Sequence, residues 1–263
     1  MDKVEEFFHF ISPKVISLTS ERFENTKEVK YKDEKNSLDI ATEADLDNER
    51  LITNELRAWF PNDQIIAEET FNEIGDINQG RSWIIDPICG SANFRNGIKF
   101  FSTNIALANN GLIMASCVVD HSIGQYIWSI GNSQININDK RISPKKRTKG
   151  IMVEVDLPAL TGMDSNVIDK HIQLTSYLLH KKNYYLSSFC TSLLFAYVAL
   201  GRIDAYANGF SKVWDVAAAN FLILQAGGIV TELDGSPWTL NSNNVLGSFR
   251  KELHIELLGI LNS

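Results

Sequence analysis

Residues 83–94, "WIIDPICGSANF", decide how this chain is read. The apolar run Trp83-Ile84-Ile85 reads as the end of a buried strand, and Asp86 stands where that strand stops. Pro87 fixes the backbone and removes a donor. Gly90-Ser91 then turn into a helix start, where backbone N–H groups offer an anion site. An aspartate at a strand end beside a glycine turn suits a metal or a phosphate. Cys89 stands two residues beyond the proline, where a metal site would want a second carboxylate.

Further acidic pieces flank this one. "IIAEE" (65–69) places Glu68 and Glu69 at the end of an apolar strand. "WDVAAANFLILQAGGIV" (214–230) reads as a helix opened by Trp214-Asp215, closed by Gly227-Gly228 and followed by a strand. "TEADLDNERLITNELRAWF" (42–60) reads as a helix with Ile52, Leu56, Trp59 and Phe60 on one stripe, and Thr42 with Asp45 form a capping box at its start. Taken singly, each acidic feature has an ordinary explanation. Glu68-Glu69 fits a solvated turn, Asp86-Pro87 a turn, and Asp215 a helix cap.

The remaining chain alternates in type. Residues 3–24 predict a helix carrying Phe7, Phe8, Ile11, Val15 and Leu18, with Pro13 breaking or kinking it. Residues 25–37 form an exposed hairpin or a mobile loop. Residues 102–121 and 125–130 predict strands, with turns at Asn109-Asn110-Gly111 and Ser122-Ile123-Gly124. Residues 169–182 and 191–201 predict helices, and the end of the chain is helical. This order means a layered α/β or α+β protein. The stretch 136–150 reads as a seam, dividing a single domain (1–263) into an N-terminal lobe of about 1–145 and a C-terminal lobe of about 146–263.

Composition narrows the function classes. The 263 residues carry a formal net charge of −7, so the surface as a whole does not attract nucleic acid, and direct nucleic-acid binding is not expected. The one basic run, Lys145-Lys146-Arg147 with Lys149, reads as a solvated loop. Cys89, Cys117 and Cys190 form no CxxC pair and leave an odd count, which suits a reducing cytosol. The N-terminus has no signal-peptide pattern, and no apolar run approaches the roughly 18 residues that a membrane span needs. The expectation is a cytoplasmic protein with no membrane partner.

In combination and in this order, "IIAEE", "WIIDPICGSANF" and "WDVAAANFLILQAGGIV" resemble the three signature segments of the inositol monophosphatase family of magnesium-dependent, lithium-sensitive phosphatases. "LDIATEADLDNERLI" (38–52) is similar to the family's D-x-x-T-x-x-D…E helix start, and "LFAYVALGRIDAY" (194–206) to its helix-to-strand segment. The resemblance runs from about residue 4 to residue 250. It implies a layered αβαβα (α+β) sugar-phosphatase fold and hydrolysis of a small sugar, polyol or nucleotide phosphate. Such chemistry needs cations to neutralise charge and an activated water held in line, and magnesium demands oxygen ligands. By resemblance, Glu68, Asp86 and the Ile88 carbonyl hold a first Mg2+. Asp86 bridges to a second, bound by Asp215, and Asp45 is associated with a third, looser site. Manganese is the substitute cation; zinc at Cys89 is not expected. Ser91 replaces the family's threonine, whose hydroxyl helps orient the water through Glu68. The Gly90 and Ser91 amides face the phosphate. A homodimer is the family's common state.

Three departures stand against this pattern. Cys89 occupies the second aspartate of D-P-x-D-G-T, and a soft, mostly protonated thiol is a poor magnesium ligand. Phe189-Cys190 replaces a Gly-Ser near the substrate, and Asn208 stands where an acidic or polar residue contacts substrate hydroxyls. The expected outcome is a weakened second metal site with reduced activity. The alternative is a catalytically degenerate relative acting as a ligand- or protein-binding regulatory scaffold; some bacterial members of the family have roles linked to RNA polymerase or the ribosome.

Overall fold

A computed structural model describes residues 2–25, 29–33, 36–70, 77–132, 134–144, 150–156 and 165–263. The chain opens with α1 (Lys3–Asn25), followed by the antiparallel pair β1 (Val29–Asp33) and β2 (Asn36–Thr42). Next come α2 (Glu43–Trp59), β3 (Gln64–Ala67), β4 (Arg81–Cys89) and the single-turn helix α3 (Ser91–Arg95). A meander follows, of β5 (Ser102–Asn109), β6 (Leu112–Asp120), β7 (Gln125–Ile130), β8 (Asn136–Ile137) and β9 (Lys140–Arg141). The second half contains β10 (Ile151–Asp156), α4 (Ser165–His180), β11 (Tyr184–Ser187), α5 (Leu193–Ala199) and β12 (Ala205–Asn208). It ends with α6 (Val213–Gln225), β13 (Ile229–Thr231), β14 (Val245–Ser248) and α7 (Lys251–Leu261).

Two sheets organise these elements. One has seven strands in the order β3-β4-β5-β6-β7-β8-β9, with β3 parallel to β4 and the rest antiparallel. The other has five, in the order β11-β10-β12-β14-β13. Side chains alternate across a strand, and a strand covered on both faces reads as a continuous apolar run. That is why "WII" is unbroken. Trp83 and Ile85 pack under α1 and α2 with Phe7, Phe8, Ile11, Ile52 and Leu56. Ile84 faces the opposite way, into a core shared with α5, α6 and the inner face of the second sheet, through Phe195, Val216, Tyr206 and Val245. The outer face of that sheet, through Val153, Val155 and Ala207, meets α4 and α7 at Leu174 and Leu257. The layers therefore run helix, sheet, helix, sheet, helix, the αβαβα arrangement of the layered α+β class.

Local signals act as their chemistry dictates. Thr42 caps α2, and Asp45 accepts the Thr42 N–H at 2.7 Å in return. Asn110 and Gly111 both take positive φ (49° and 78°), the requirement of a tight hairpin between β5 and β6. Gly227, at φ 81°, stops α6, with Gly228 N–H donating to the Ile223 carbonyl at 2.9 Å. α1 runs through Pro13 without a break, so of the two expected effects the break does not occur. The proline lies on the exposed side, while Phe7, Phe8, Ile11 and Val15 anchor the buried side on both sides of it in sequence. The described residues of 25–37 lie at the end of α1, in β1 and at the start of β2, in line with the hairpin alternative. The basic run at 145–149 lies outside the described residues.

Candidate active site

The site begins with an irregularity in β4. Asp86 pairs with Asn104, but Cys89 pairs with Ser102, so three residues of β4 advance against two of β5. A proline inside a strand has no N–H for the ladder, and one extra residue is a bulge. Residues three apart on a regular strand point to opposite faces. Here the bulge turns Asp86 and Cys89 toward one another. Thr103 fixes it by donating to the Pro87 carbonyl at 2.7 Å, with His121 Nε2 2.9 Å from the same hydroxyl.

Asp215 arrives from the other side, in the first turn of α6. Its Oδ2 accepts the Lys212 N–H at 2.6 Å, so it does cap the helix, with one oxygen. Asp86, Cys89 and Asp215 each present a ligand atom, and these lie within 4.8 Å of one another. Asn104 ties the group together. Its Nδ2 lies 3.4 Å from Asp86 Oδ2, 2.7 Å from Ser192 Oγ and 3.2 Å from the Asp215 carbonyl. Asp86 is 1% exposed, and its Oδ1 is buried with no hydrogen-bond partner. Such an orphaned carboxylate oxygen is costly unless a ligand completes it.

Glu68 follows β3, half-buried, its N–H donating to the Ile85 carbonyl at 3.2 Å. Burial lifts the Asp86 carboxyl well above the ordinary range, and the charges of Glu68 and Asp215 add to the rise. The half-buried Cys89 thiol is likewise raised, by burial and then by Asp86 and Asp215. Asp45 is fully buried and pushed up to about 6 by burial, against hydrogen bonds from Thr42 and Ser91. Its Oδ2 accepts from the Thr42 N–H and hydroxyl, and its Oδ1 accepts from Ser91 Oγ at 2.9 Å. Both oxygens are therefore engaged, and a metal at Asp45 would have to displace one of these donors. The same Ser91 hydroxyl is 2.9 Å from the Ile88 carbonyl, the other acceptor open to it.

Gly90 sits at φ 104°, where a side chain would be strained, and an added Cβ would come within 3.1 Å of Thr191 and 3.2 Å of Phe101. The anion reading of Gly90-Ser91 needs one correction. The helix that follows them has five residues, so little macrodipole adds to the backbone amides.

On the substrate side, Phe189 is 46% exposed and packs its ring 5.2 Å from Phe100. Cys190 is exposed and held at φ 50°, a left-handed conformation uncommon for a side-chain-bearing residue. Asn208 is buried and inward-facing. Its Oδ1 accepts the Phe210 N–H at 2.8 Å, and its Nδ2 lies 3.4 Å from Asp156 Oδ2 and 3.3 Å from the Tyr206 hydroxyl.

One site residue escapes the sequence, and another enters it only as the last letter of the family's helix-start pattern. Asn104 sits in an apolar strand with no motif of its own. Glu49 is 1% exposed and accepts the Glu69 N–H at 2.7 Å, buttressing the turn that carries Glu68. Its signal is the closing glutamate of the D-x-x-T-x-x-D…E pattern, a turn beyond Asp45 on α2.

The donor set fits a hard cation in part. Two carboxylates, Glu68 and Asp86, with the Ile88 carbonyl are oxygen donors of the kind magnesium takes. Asp86, Cys89 and Asp215 add a sulfur, which magnesium does not favour.

Comparison with known proteins follows the same lines. A "Fructose-1,6-bisphosphatase/inositol-1-monophosphatase" of Thermotoga maritima is 29% identical over 224 residues, covering 85% of this chain and 83% of its own. The "Nus factor SuhB" of Vibrio cholerae is 27% identical over 221 residues, covering 82% and 80%. The solved Thermotoga maritima IMPase superposes with a TM-score of 0.84 at 27% identity, over 100% of this chain and 97% of that one. The model of the inositol monophosphatase family matches residues 1–263, and the chain belongs to that family of magnesium-dependent phosphatases.

Proposed function

We propose that this chain is a divalent-metal-dependent phosphomonoesterase acting on a small sugar, polyol or nucleotide phosphate, with turnover held down by Cys89. The observation that carries this reading is the orphaned Oδ1 of Asp86, buried at a bulge with Glu68 and Asp215 near enough to raise its pKa. Glu68, Asp86 and the Ile88 carbonyl would hold magnesium, with manganese as a substitute. The cation, when bound, neutralises charge on the phosphoryl group and the leaving oxygen. Glu68 and the Ser91 hydroxyl orient the attacking water, and Glu68 takes its proton. The Gly90 and Ser91 amides hold the phosphate. Phe189 and Cys190 flank the leaving alcohol, and Asn208 shapes that wall through the Phe210 turn. The relative from Thermotoga maritima, named for fructose bisphosphate and inositol phosphate, supports a sugar or polyol phosphate within that class. We expect a cytoplasmic homodimer without nucleic-acid partners. No helix among the described residues is long and apolar enough to cross a membrane.

The test is inorganic phosphate release from a panel of such esters across a magnesium and manganese titration. Metal-dependent release that Asp86→Asn abolishes supports the reading. Release equal in wild type and Asp86→Asn would overturn it. A second reading, a regulatory scaffold that binds a protein, is favoured by Cys89 and by relatives named Nus factor SuhB. No release on any ester, with the fold intact, would favour that reading.

A further inference from the structure

The thiol in the acidic cluster has a chemical preference of its own. Cys89 Sγ, an Asp86 oxygen and an Asp215 oxygen lie within 4.8 Å of one another, a spacing that a single cation between them can satisfy. Asp86 Oδ1 is buried and without a partner, an independent sign that the cluster lacks a ligand. The surroundings suit a sulfur ligand. The Ser192 N–H points at Cys89 Sγ at 3.2 Å, and an amide donor on sulfur stabilises negative charge there. Asn104, bound to Ser192 Oγ and to the Asp215 carbonyl, locks the outer contacts that orient the donors. Thr191 Oγ1 donates to the Cys89 carbonyl at 2.9 Å, fixing the residue from its other side. One thiolate with two carboxylates is a borderline-soft set, which zinc or cobalt binds and magnesium does not favour.

We infer that Asp86, Cys89 and Asp215 form a binding site for a thiophilic divalent cation of the zinc class, so the chain pairs a hard cation position on the Glu68 side with a soft one on the Cys89 side. The inference rests on the reading of Asp86 as a cation ligand. It reverses the expectation from sequence that zinc has no place at Cys89, because the bulge brings the sulfur inside the reach of both carboxylates. Binding forms a sulfur–metal bond while the thiol proton passes to solvent, and any proton on the Asp86 carboxyl leaves with it.

Cobalt(II) titration of the metal-free full chain, in the presence of millimolar magnesium, tests this without turnover. A sulfur-to-cobalt charge-transfer band should rise to saturation, be bleached by zinc and survive excess magnesium. Cys89→Ser should lose the band and weaken cobalt binding by about tenfold or more, while Cys117→Ser and Cys190→Ser keep it. Should Cys89→Ser fail to fold, mass-spectrometric alkylation of the wild type decides, because zinc and not magnesium should protect Cys89. Absence of the band at saturating cobalt, its persistence in folded Cys89→Ser, or alkylation of Cys89 unaffected by zinc would overturn the inference. Loss of magnesium-dependent phosphate release with the band retained would count against the phosphatase reading alone.

Discussion

Cys89 and Glu154 show how one side chain sets local electrostatics. We read Cys89 as standing where the family pattern has its second aspartate, which leaves the cluster around Asp86 one carboxylate short of that pattern. Glu154, on β10, lies 0% exposed between Asp156 and the loop at Phe189. Its Oε1 accepts the Phe189 N–H at 2.6 Å and its Oε2 accepts from the Ser187 hydroxyl. Burial nevertheless pushes its carboxyl from the ordinary 4.5 up to about 7, with Asp156 contributing. The folded chain thus keeps a proton that the unfolded chain has released between these two values. The contribution of Glu154 to stability is full below about 4.5, falls as pH rises to about 7 and levels beyond, by up to about 3 kcal/mol. Glu154→Gln keeps an acceptor for Phe189 and has no proton to lose. Urea midpoints at both ends of this window should differ less in the variant than in wild type, with the remainder of the difference left to Asp45 and Asp86, whose carboxyls are raised in both proteins. An unchanged wild-type difference in Glu154→Gln would show that other groups carry it.

At the scale of elements, the bulged end of β4 and the Gly90 turn place the donors. Gly90→Ala adds a Cβ at 3.1 Å from Thr191 and 3.2 Å from Phe101, at φ 104°. The expected loss of stability is about 1–3 kcal/mol, with any cation affinity at Cys89 falling too, since Thr191 holds the Cys89 carbonyl. Thermal melts of the two proteins check it, and an unchanged melting temperature would contradict it. Most elements were legible in the sequence, because their signals are local. The Thr42–Asp45 box, the Asn110-Gly111 turn and the Gly227-Gly228 stop need only neighbouring residues. Asp86, Cys89 and Asp215 were legible as a set only through the family resemblance, because 126 positions separate Cys89 from Asp215 and no local rule spans that gap. Asn104 was not legible, since a polar residue inside a strand looks the same before its partners are known, and Glu49 was legible only as the closing glutamate of the family's helix-start pattern. The helix over 3–24 was legible, and packing on one face carries it through Pro13, a local breaker.

For the whole molecule, α5 and α6 form the middle layer between the two sheets. We take residues 1–263 as a single domain whose lobes meet near residue 145 and share this layer. Phe195 is fully buried, with its ring 4.5 Å from that of Tyr206 on the second sheet, inside the core that also holds Ile84 and Ala106 of the first. Phe195→Ala should cost about 3–5 kcal/mol. Because the layer belongs to both sheets, unfolding should remain one transition. Fluorescence of the five tryptophans, three of which (Trp59, Trp83 and Trp128) lie in the cluster under the first sheet, and far-ultraviolet circular dichroism, reporting all the helices, should shift together; separate midpoints would contradict a shared core.

The central claim is that a family phosphatase site persists here and is limited at one position, Cys89. Phosphate release by Cys89→Asp under magnesium, beside wild type and Asp86→Asn, tests it most directly. A carboxylate at position 89 restores an oxygen ligand, and preorganised charge stabilisation of this kind contributes about 2.7–4 kcal/mol per group. The account predicts a rise in turnover of about a hundredfold or more, with tighter magnesium dependence and no release from Asp86→Asn. Release unchanged in a folded Cys89→Asp, on every ester tried, would contradict it.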